Sequence, residues 1–357
     1  MANKRVRMPN SIKPGDCIGI TAPSFGASIE PYSVYIDIGE KILRDRGYKI
    51  TEGRTARLGD GKGISTDPKV AAAELVEFYK SESIDAIISA GGGELMNETI
   101  TNIDFDDLKS ARPKWFVGYS DNTNFIFPMV TIADTCGIYG PCINGYAKEW
   151  EDTEKDVFAI LEGTKKDFAG YDQFEREEPS KGPEEYNYDV LYRYNLNTKK
   201  ELSNYDCAEG IAKKSGEDKS FKMNGILLGG CLDVLANLVG TRFDRVKEFK
   251  KTHEDIIWVL EACDLNVMSY RRAIWNLREA GWFDNARGFI IGRPLSCHGE
   301  VFTGVDEYNA VTDVLECFKV PIIMDADIGH IDPMLPVIMG AEAEVKVRGN
   351  DLRIEYK

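Results

Sequence analysis

The chain has 357 residues, more than one small core requires and enough for two domains. Hydrophobic residues supply 43% and charged residues 29%, a balance that excludes an intrinsically disordered chain. With 59 acidic against 44 basic residues the formal charge is −15, which repels phosphate backbones and anionic lipid and so counts against a nucleic-acid polymer or a membrane as partner.

Met1 to Arg7 carries basic residues but no apolar run follows them, and Ile18–Ala22 is too short for a signal-peptide core. No stretch approaches the roughly 18 apolar residues of a membrane span, so a cytoplasmic protein is expected. Cys17–Ala22 then reads as a strand, Tyr32–Arg46 as a helix stopped near Gly47, Tyr48–Thr51 as a strand, Pro68–Ser81 as a helix and Ile84–Ala90 as a strand. After a run of glycines, Leu95–Thr101 has helical spacing. Trp115–Tyr119 is another strand, and a helix follows from Asp121 to about Ala133. Strands separated by helix-length segments predict an α/β fold, with a parallel sheet covered by helices on both faces.

From about Gly163 to Lys222 the chain turns polar and poorly periodic, which predicts a boundary region carrying an insertion rather than a core element. Its aromatics (Phe174, Tyr186, Tyr188, Tyr192 and Tyr194) fit either hairpin packing or a loop that folds over a site and touches substrate. Regular patterning resumes with strands at Ile226–Leu228, Asp255–Leu260, Gly288–Gly292 and Pro321–Met324. Helices alternate with them at Leu232–Val239, Met268–Ala280 and Asp306–Phe318. Ala343–Val347 and Leu352–Tyr356 close the chain as a hairpin around Arg348-Gly349-Asn350-Asp351. The expected division is 1–165 for an N-terminal parallel-sheet domain, 166–222 for the boundary and insertion, and 223–357 for a smaller C-terminal α/β domain.

Eight cysteines, Cys17, Cys136, Cys142, Cys207, Cys231, Cys263, Cys297 and Cys317, are scattered with no C-x-x-C pair. They predict reduced small hydrophobes, and neither a zinc knuckle nor a redox motif is written here. No metal and no cofactor is expected.

Four short segments carry chemistry. Gly118-Tyr119-Ser120-Asp121-Asn122 lies where a strand hands over to a helix, a place that holds a serine hydroxyl up on a tight backbone. Asn122 stands where G-x-S-x-G would have its second glycine, and a serine capping a helix has the same local sequence. Gly91-Gly92-Gly93-Glu94 follows a strand and lets backbone N–H groups approach a ligand, as an oxyanion hole or a plain tight turn requires. Glu261 ends the apolar run Ile256–Leu260, at the rim where α/β sites form, with Asp264 as a neighbouring competitor. Gly329-His330-Ile331-Asp332-Pro333 holds one of only three histidines. His253 sits in a charged run that reads as surface, and His298 is the rival base.

These segments, with Lys13-Pro14-Gly15-Asp16, Ala22-Pro23-Ser24, Tyr139-Gly140-Pro141 and Leu228-Gly229-Gly230-Cys231-Leu232, resemble the serine LD-carboxypeptidase family across nearly the whole chain. That family includes murein tetrapeptide carboxypeptidases and microcin C self-immunity peptidases. The resemblance implies a nucleophile domain and a C-terminal domain, a homodimer, and a Ser-Glu-His triad on Ser120, Glu261 and His330. It also implies an oxyanion hole from the backbone of Gly92, Gly93 and Asp121. The implied substrate is a muropeptide or a peptidyl-nucleotide antibiotic such as microcin C. Two departures stand out. Cys231 replaces the asparagine usual in the Gly-Gly-Asn-Leu segment. The Gly163–Lys222 region looks like that of the immunity peptidases yet contains no tryptophan. The alternatives are a non-catalytic small-ligand binder with the same cleft, and an amidotransferase-like cysteine enzyme.

Overall fold

The computed structural model describes residues 5–176 and 193–357, and the chain divides into two compact α/β units. The first unit spans Arg7–Lys165 together with the end of the insertion at 193–195. Its strands are β1 (Cys17–Thr21), β2 (Lys49–Glu52), β3 (Ala86–Ser89), β4 (Trp115–Gly118) and β5 (Gly137–Tyr139). They pair in parallel in the order β5-β4-β3-β1-β2. The interior strands are apolar throughout because parallel strands in this setting are covered on both faces: Ile18, Ile20, Ile87, Ile88 and Val117 are wholly buried. The chain runs from β1 outward to β2 on one side and to β3 on the other. The carboxyl ends of β1 and β3 therefore flank the point where the order reverses, the place where open α/β sheets leave a crevice. β5 is too short for the sequence pattern to have marked it.

The second unit holds Arg5 and Val6, Lys166–Arg176 and Leu196–Lys357. Nine strands form its sheet: β6 (Asp167–Ala169), β7 (Ser203–Asp206), β8 (Lys213–Lys214), β9 (Ser220–Cys231), β10 (Ile256–Glu261), β11 (Ala286–Gly292), β12 (Ile322–Ala326), β13 (Glu342–Arg348) and β14 (Asp351–Tyr356). Their order is β8-β7-β12-β11-β10-β9-β13-β14-β6. The central four, β9 to β12, are parallel, and the flanking pairs are antiparallel. The terminal hairpin closes in the expected register, with Arg348 opposite Asp351.

Two readings change. The 166–222 segment is more than a boundary and insertion: β6 and β7 from it join the main sheet of the second unit. Those strands are short and edge-like, and their polar sequence hides them. His253 is not a surface residue. It is 3% exposed and stacks on Phe249 with ring centroids 4.1 Å apart. Tyr186, Tyr188 and Tyr192 lie outside the described residues. Of the remaining loop aromatics, Phe174 is buried, and the Tyr194 hydroxyl donates to Glu154 Oε1 at 2.5 Å beneath the Lys148 ammonium. No helix among the described residues is long and apolar enough to cross a membrane.

Candidate active site

In the first unit β4 ends at Gly118, and two residues later Ser120 adopts φ +61° before the chain enters the buried helix Thr123–Thr131. A side-chain-bearing residue is held in the left-handed region only when its surroundings over-determine it, and such strain concentrates at functional positions. Those surroundings can be named. A Cβ on Gly118 would lie 2.7 Å from Asn122 Cγ, so the turn closes only with glycine there. Asn122 Nδ2 donates to Gly91 O at 2.9 Å and to Tyr119 O at 3.0 Å. The residue that breaks G-x-S-x-G is thus a clamp between the elbow and the glycine loop. The Ser120 N–H donates to Tyr139 Oη at 3.0 Å.

The glycine loop sits directly against this serine. A Cβ placed on Gly92 would be 3.1 Å from Ser120 Cβ and 3.3 Å from its Oγ, while Gly93 takes φ +141°. Among the described residues no main-chain acceptor takes the Gly92 or Gly93 N–H. The Asp121 side chain braces the same loop: its carboxylate accepts from Met96 N–H at 2.8 Å, from Asn124 Nδ2 at 2.7 Å and from Ser24 Oγ. Burial pushes the Asp121 carboxyl up from its ordinary value, and these donors counter part of that rise. Ser24, Asn124 and Tyr139 escaped the sequence reading of the chemistry. Ser24 and Tyr139 nevertheless lie in the short motifs that carry the family resemblance.

In the second unit Glu261 ends β10 and is fully buried. Its Oε2 lies 2.8 Å from His330 Nδ1. Two glycines admit this pair. Gly292 at the end of β11 has no room for a Cβ, which would stand 3.0 Å from Glu261 Cβ. Gly329, at φ +108°, would put one 2.6 Å from Glu261 Oε2. Burial alone would lower the His330 pKa, but the Glu261 carboxylate and the Cys263 thiol outweigh it and hold the imidazole well above the ordinary value of 6.5. The competitor Asp264 is engaged through its main chain: Asp233 Oδ1 accepts the Asp264 N–H at 2.9 Å, and Asp233 Oδ2 accepts the Cys263 N–H at 3.0 Å. Asp233 thereby sets the exit of the chain beyond Glu261, a role its helical position did not signal. Cys231 lies beside Glu261 in register, and burial, then the charges of Glu261 and Asp233, keep its thiol protonated.

Gly329→Ala combines a strained backbone with a collision on the Glu261 carboxylate. It is expected to lower stability by about 1–3 kcal/mol, readable as a fall in denaturation midpoint, with intact secondary structure by circular dichroism.

The rival His298 also has a carboxylate, with Nδ1 3.2 Å from Glu307 Oε2, an oxygen that also accepts the Gly299 N–H at 2.7 Å. No disulfide joins any of the eight cysteines, and burial pushes Cys142, beneath the elbow, up to about 12. A group so reluctant to ionise is a poor nucleophile.

Residues 18–140 match the LD-carboxypeptidase N-terminal domain and residues 224–345 the LD-carboxypeptidase C-terminal domain, and the chain belongs to the LD-carboxypeptidase family. Within it the chain is similar to the microcin C7 self-immunity protein MccF of Escherichia coli, at 24% identity over 346 residues, covering 95% of this chain and 93% of MccF. The same fold occurs in the MccF-like protein from Bacillus anthracis, with a TM-score of 0.78 at 19% identity over 98% of this chain and 100% of that one. It occurs too in MccF in complex with glutamyl sulfamoyl guanosine, with a TM-score of 0.77 at 20% identity over 98% of each chain.

Proposed function

We propose that this chain is a serine carboxypeptidase or amidase that cleaves an amide through an acyl-enzyme on Ser120. The observation that carries the reading is the backbone of Ser120: a non-glycine residue at φ +61° at the carboxyl end of a parallel strand, with Gly92 packed on its hydroxyl. In this mechanism Ser120 Oγ attacks the scissile carbonyl and His330 takes its proton. Glu261, bonded to Nδ1, leaves Nε2 as the nitrogen that receives the proton and stabilises the imidazolium that forms. The N–H groups of Gly92, Gly93 and Asp121 receive the oxyanion, each donor being worth roughly 3 kcal/mol in comparable sites. His330 returns the proton to the leaving amine, and water then releases the acyl group.

For substrate, the likeness to MccF and its complex with glutamyl sulfamoyl guanosine favours an aminoacyl- or peptidyl-nucleotide over a muropeptide. The reading includes a homodimer working in the cytoplasm. Eight cysteines that form no disulfide fit a reducing compartment, and light scattering of the purified protein tests the dimer.

A fluorophosphonate probe should label Ser120 and no other residue, as read by peptide mass spectrometry. Unlabelled Ser120 in folded protein leaves the non-catalytic binder standing. His330→Ala should lose turnover while His298→Ala keeps it, with hydrolysis of an aminoacyl sulfamoyl adenosine and of an LD-linked muropeptide as the two assays. The reverse result moves the base to His298.

A further inference from the structure

The loop that carries His330 is held from below by a buried ion cluster that also ties down the neck of the 166–222 segment. Asp327 opens the loop, and its main-chain O accepts the Leu335 N–H at 2.6 Å, closing 327–335 on itself. The Asp327 carboxylate is 1% exposed: Oδ1 accepts from Arg293 Nη2 at 2.6 Å, and Oδ2 accepts the Tyr171 N–H at 2.8 Å and faces Lys200 Nζ at 3.5 Å. Arg293, just past β11 and itself buried, donates from Nη1 to Asp325 O at 2.7 Å and lays its guanidinium 4.1 Å from the ring centre of Phe174. Its Nε is buried without a partner among the described residues. Phe174 belongs to the two-stranded ribbon Gln173–Phe174 with Thr198–Lys199. One residue on, the Glu175 N–H donates to Asp332 O at 2.8 Å, so the ribbon grips the loop on the far side of His330 as well. Gly170 is confined by the same cluster: a Cβ there would stand 2.8 Å from Asp327 Oδ2 and 2.9 Å from Lys200 Nζ.

Two buried cations share one carboxylate here. Burying such charges brings little net stability over an apolar cluster of similar volume, while removing one partner leaves the others uncompensated. What the arrangement does supply is directional bonding, at both ends of a loop whose third residue past Asp327 is the histidine. We propose that Asp327, gripped by Arg293 and Lys200, is the positioning residue for His330, and that the ribbon at Phe174 is mechanically part of the histidine loop. This rests on the reading of His330 as the base. The loss of Asp327's charge frees the start of the loop and sets Arg293 against Lys200. The imidazole then loses its aim at Glu261, although Asp327 touches neither the imidazole nor substrate.

The test uses the full chain, and its first readout needs no substrate. There are three histidines, so the imidazole Cε1–H signals of His253, His298 and His330 can be followed separately by NMR through a pH titration. Among the described residues Glu261 and Cys263 raise the His330 pKa, and neither is altered. In Asp327→Asn the His330 midpoint should fall toward the ordinary histidine value while the His298 midpoint stays. Arg293→Lys, which keeps the charge but loses the planar fork, should give a smaller displacement of the same sign. On substrate, Asp327→Asn should lower kcat by about 100-fold with KM little changed, the scale expected when a catalytic group is misplaced by about an ångström. Val345→Ala, buried in β13 between Met223 and Ile354 of the neighbouring strands, should lower stability and move neither readout. Should Asp327→Asn fail to fold, Arg293→Lys decides alone. An unmoved His330 titration in folded variants overturns the proposal. Failure of Ser120 labelling in the wild type would instead sink the proposed function, and the NMR titration would still show whether Asp327 positions the loop.

Discussion

Ser120→Ala should abolish hydrolysis, lowering kcat by about 10⁶-fold if the triad acts as a unit, while thermal unfolding stays close to that of the wild type. The size follows from the chemistry: without a nucleophilic oxygen no acyl-enzyme forms, and only binding and the oxyanion donors remain to assist water. Stability should hold because the native fold keeps the left-handed backbone at this position through the Gly118–Asn122 contact and the Tyr139 hydroxyl, not through the serine hydroxyl. Alanine tolerates φ +61° no worse than serine, so the strain is common to both proteins. Turnover measured with an aminoacyl sulfamoyl adenosine, beside a melting curve, checks both halves. Retained hydrolysis in the variant would remove Ser120 from the mechanism.

Glu261→Gln should lower kcat by about 10⁴-fold and move the pH profile at the same time. A general base works in its neutral form, so with His330 raised well above 6.5 the wild-type kcat/KM should climb with pH along a limb lying above that value. Glutamine removes the negative charge opposing desolvation, so burial prevails and the limb shifts to lower pH while the rate collapses. The stability linkage has the opposite sense. A histidine whose folded pKa exceeds its unfolded value stabilises fully below the unfolded value, and that contribution is lost as pH rises through the raised folded pKa. The wild type should therefore lose this pair's stabilisation on the alkaline side, and Glu261→Gln should show no such loss. Stopped assays across pH 5 to 10 (about one-unit steps suffice) and melts over the same range measure both effects. A limb that stays put in Glu261→Gln would detach Glu261 from the imidazole.

The strands β1, β3, β4, β10, β11 and β12 and the helices between them could be read from the chain because a strand covered on both faces is a short apolar run, and its period is visible without any partner. The glycines at Gly92, Gly118 and Gly329 and the strand-end Glu261 were legible for a related reason: tight turns and sheet rims admit few residue types. Short strands such as β5, β6 and β7 were not, since three or four residues carry no periodicity to detect. His253 illustrates the same limit from the other side, since its charged neighbours describe the local surface and say nothing of Phe249 stacked beneath it. Folding alone decided that Asn122 clamps the Gly91 carbonyl, and that Glu261, 69 positions before His330, meets it at 2.8 Å. It alone decided, too, that Asp327 anchors the histidine loop through Arg293 and Lys200. Hydrogen bonds between distant residues leave no trace in spacing. The sequence determines which groups can bond, and only the packed backbone determines which of them do.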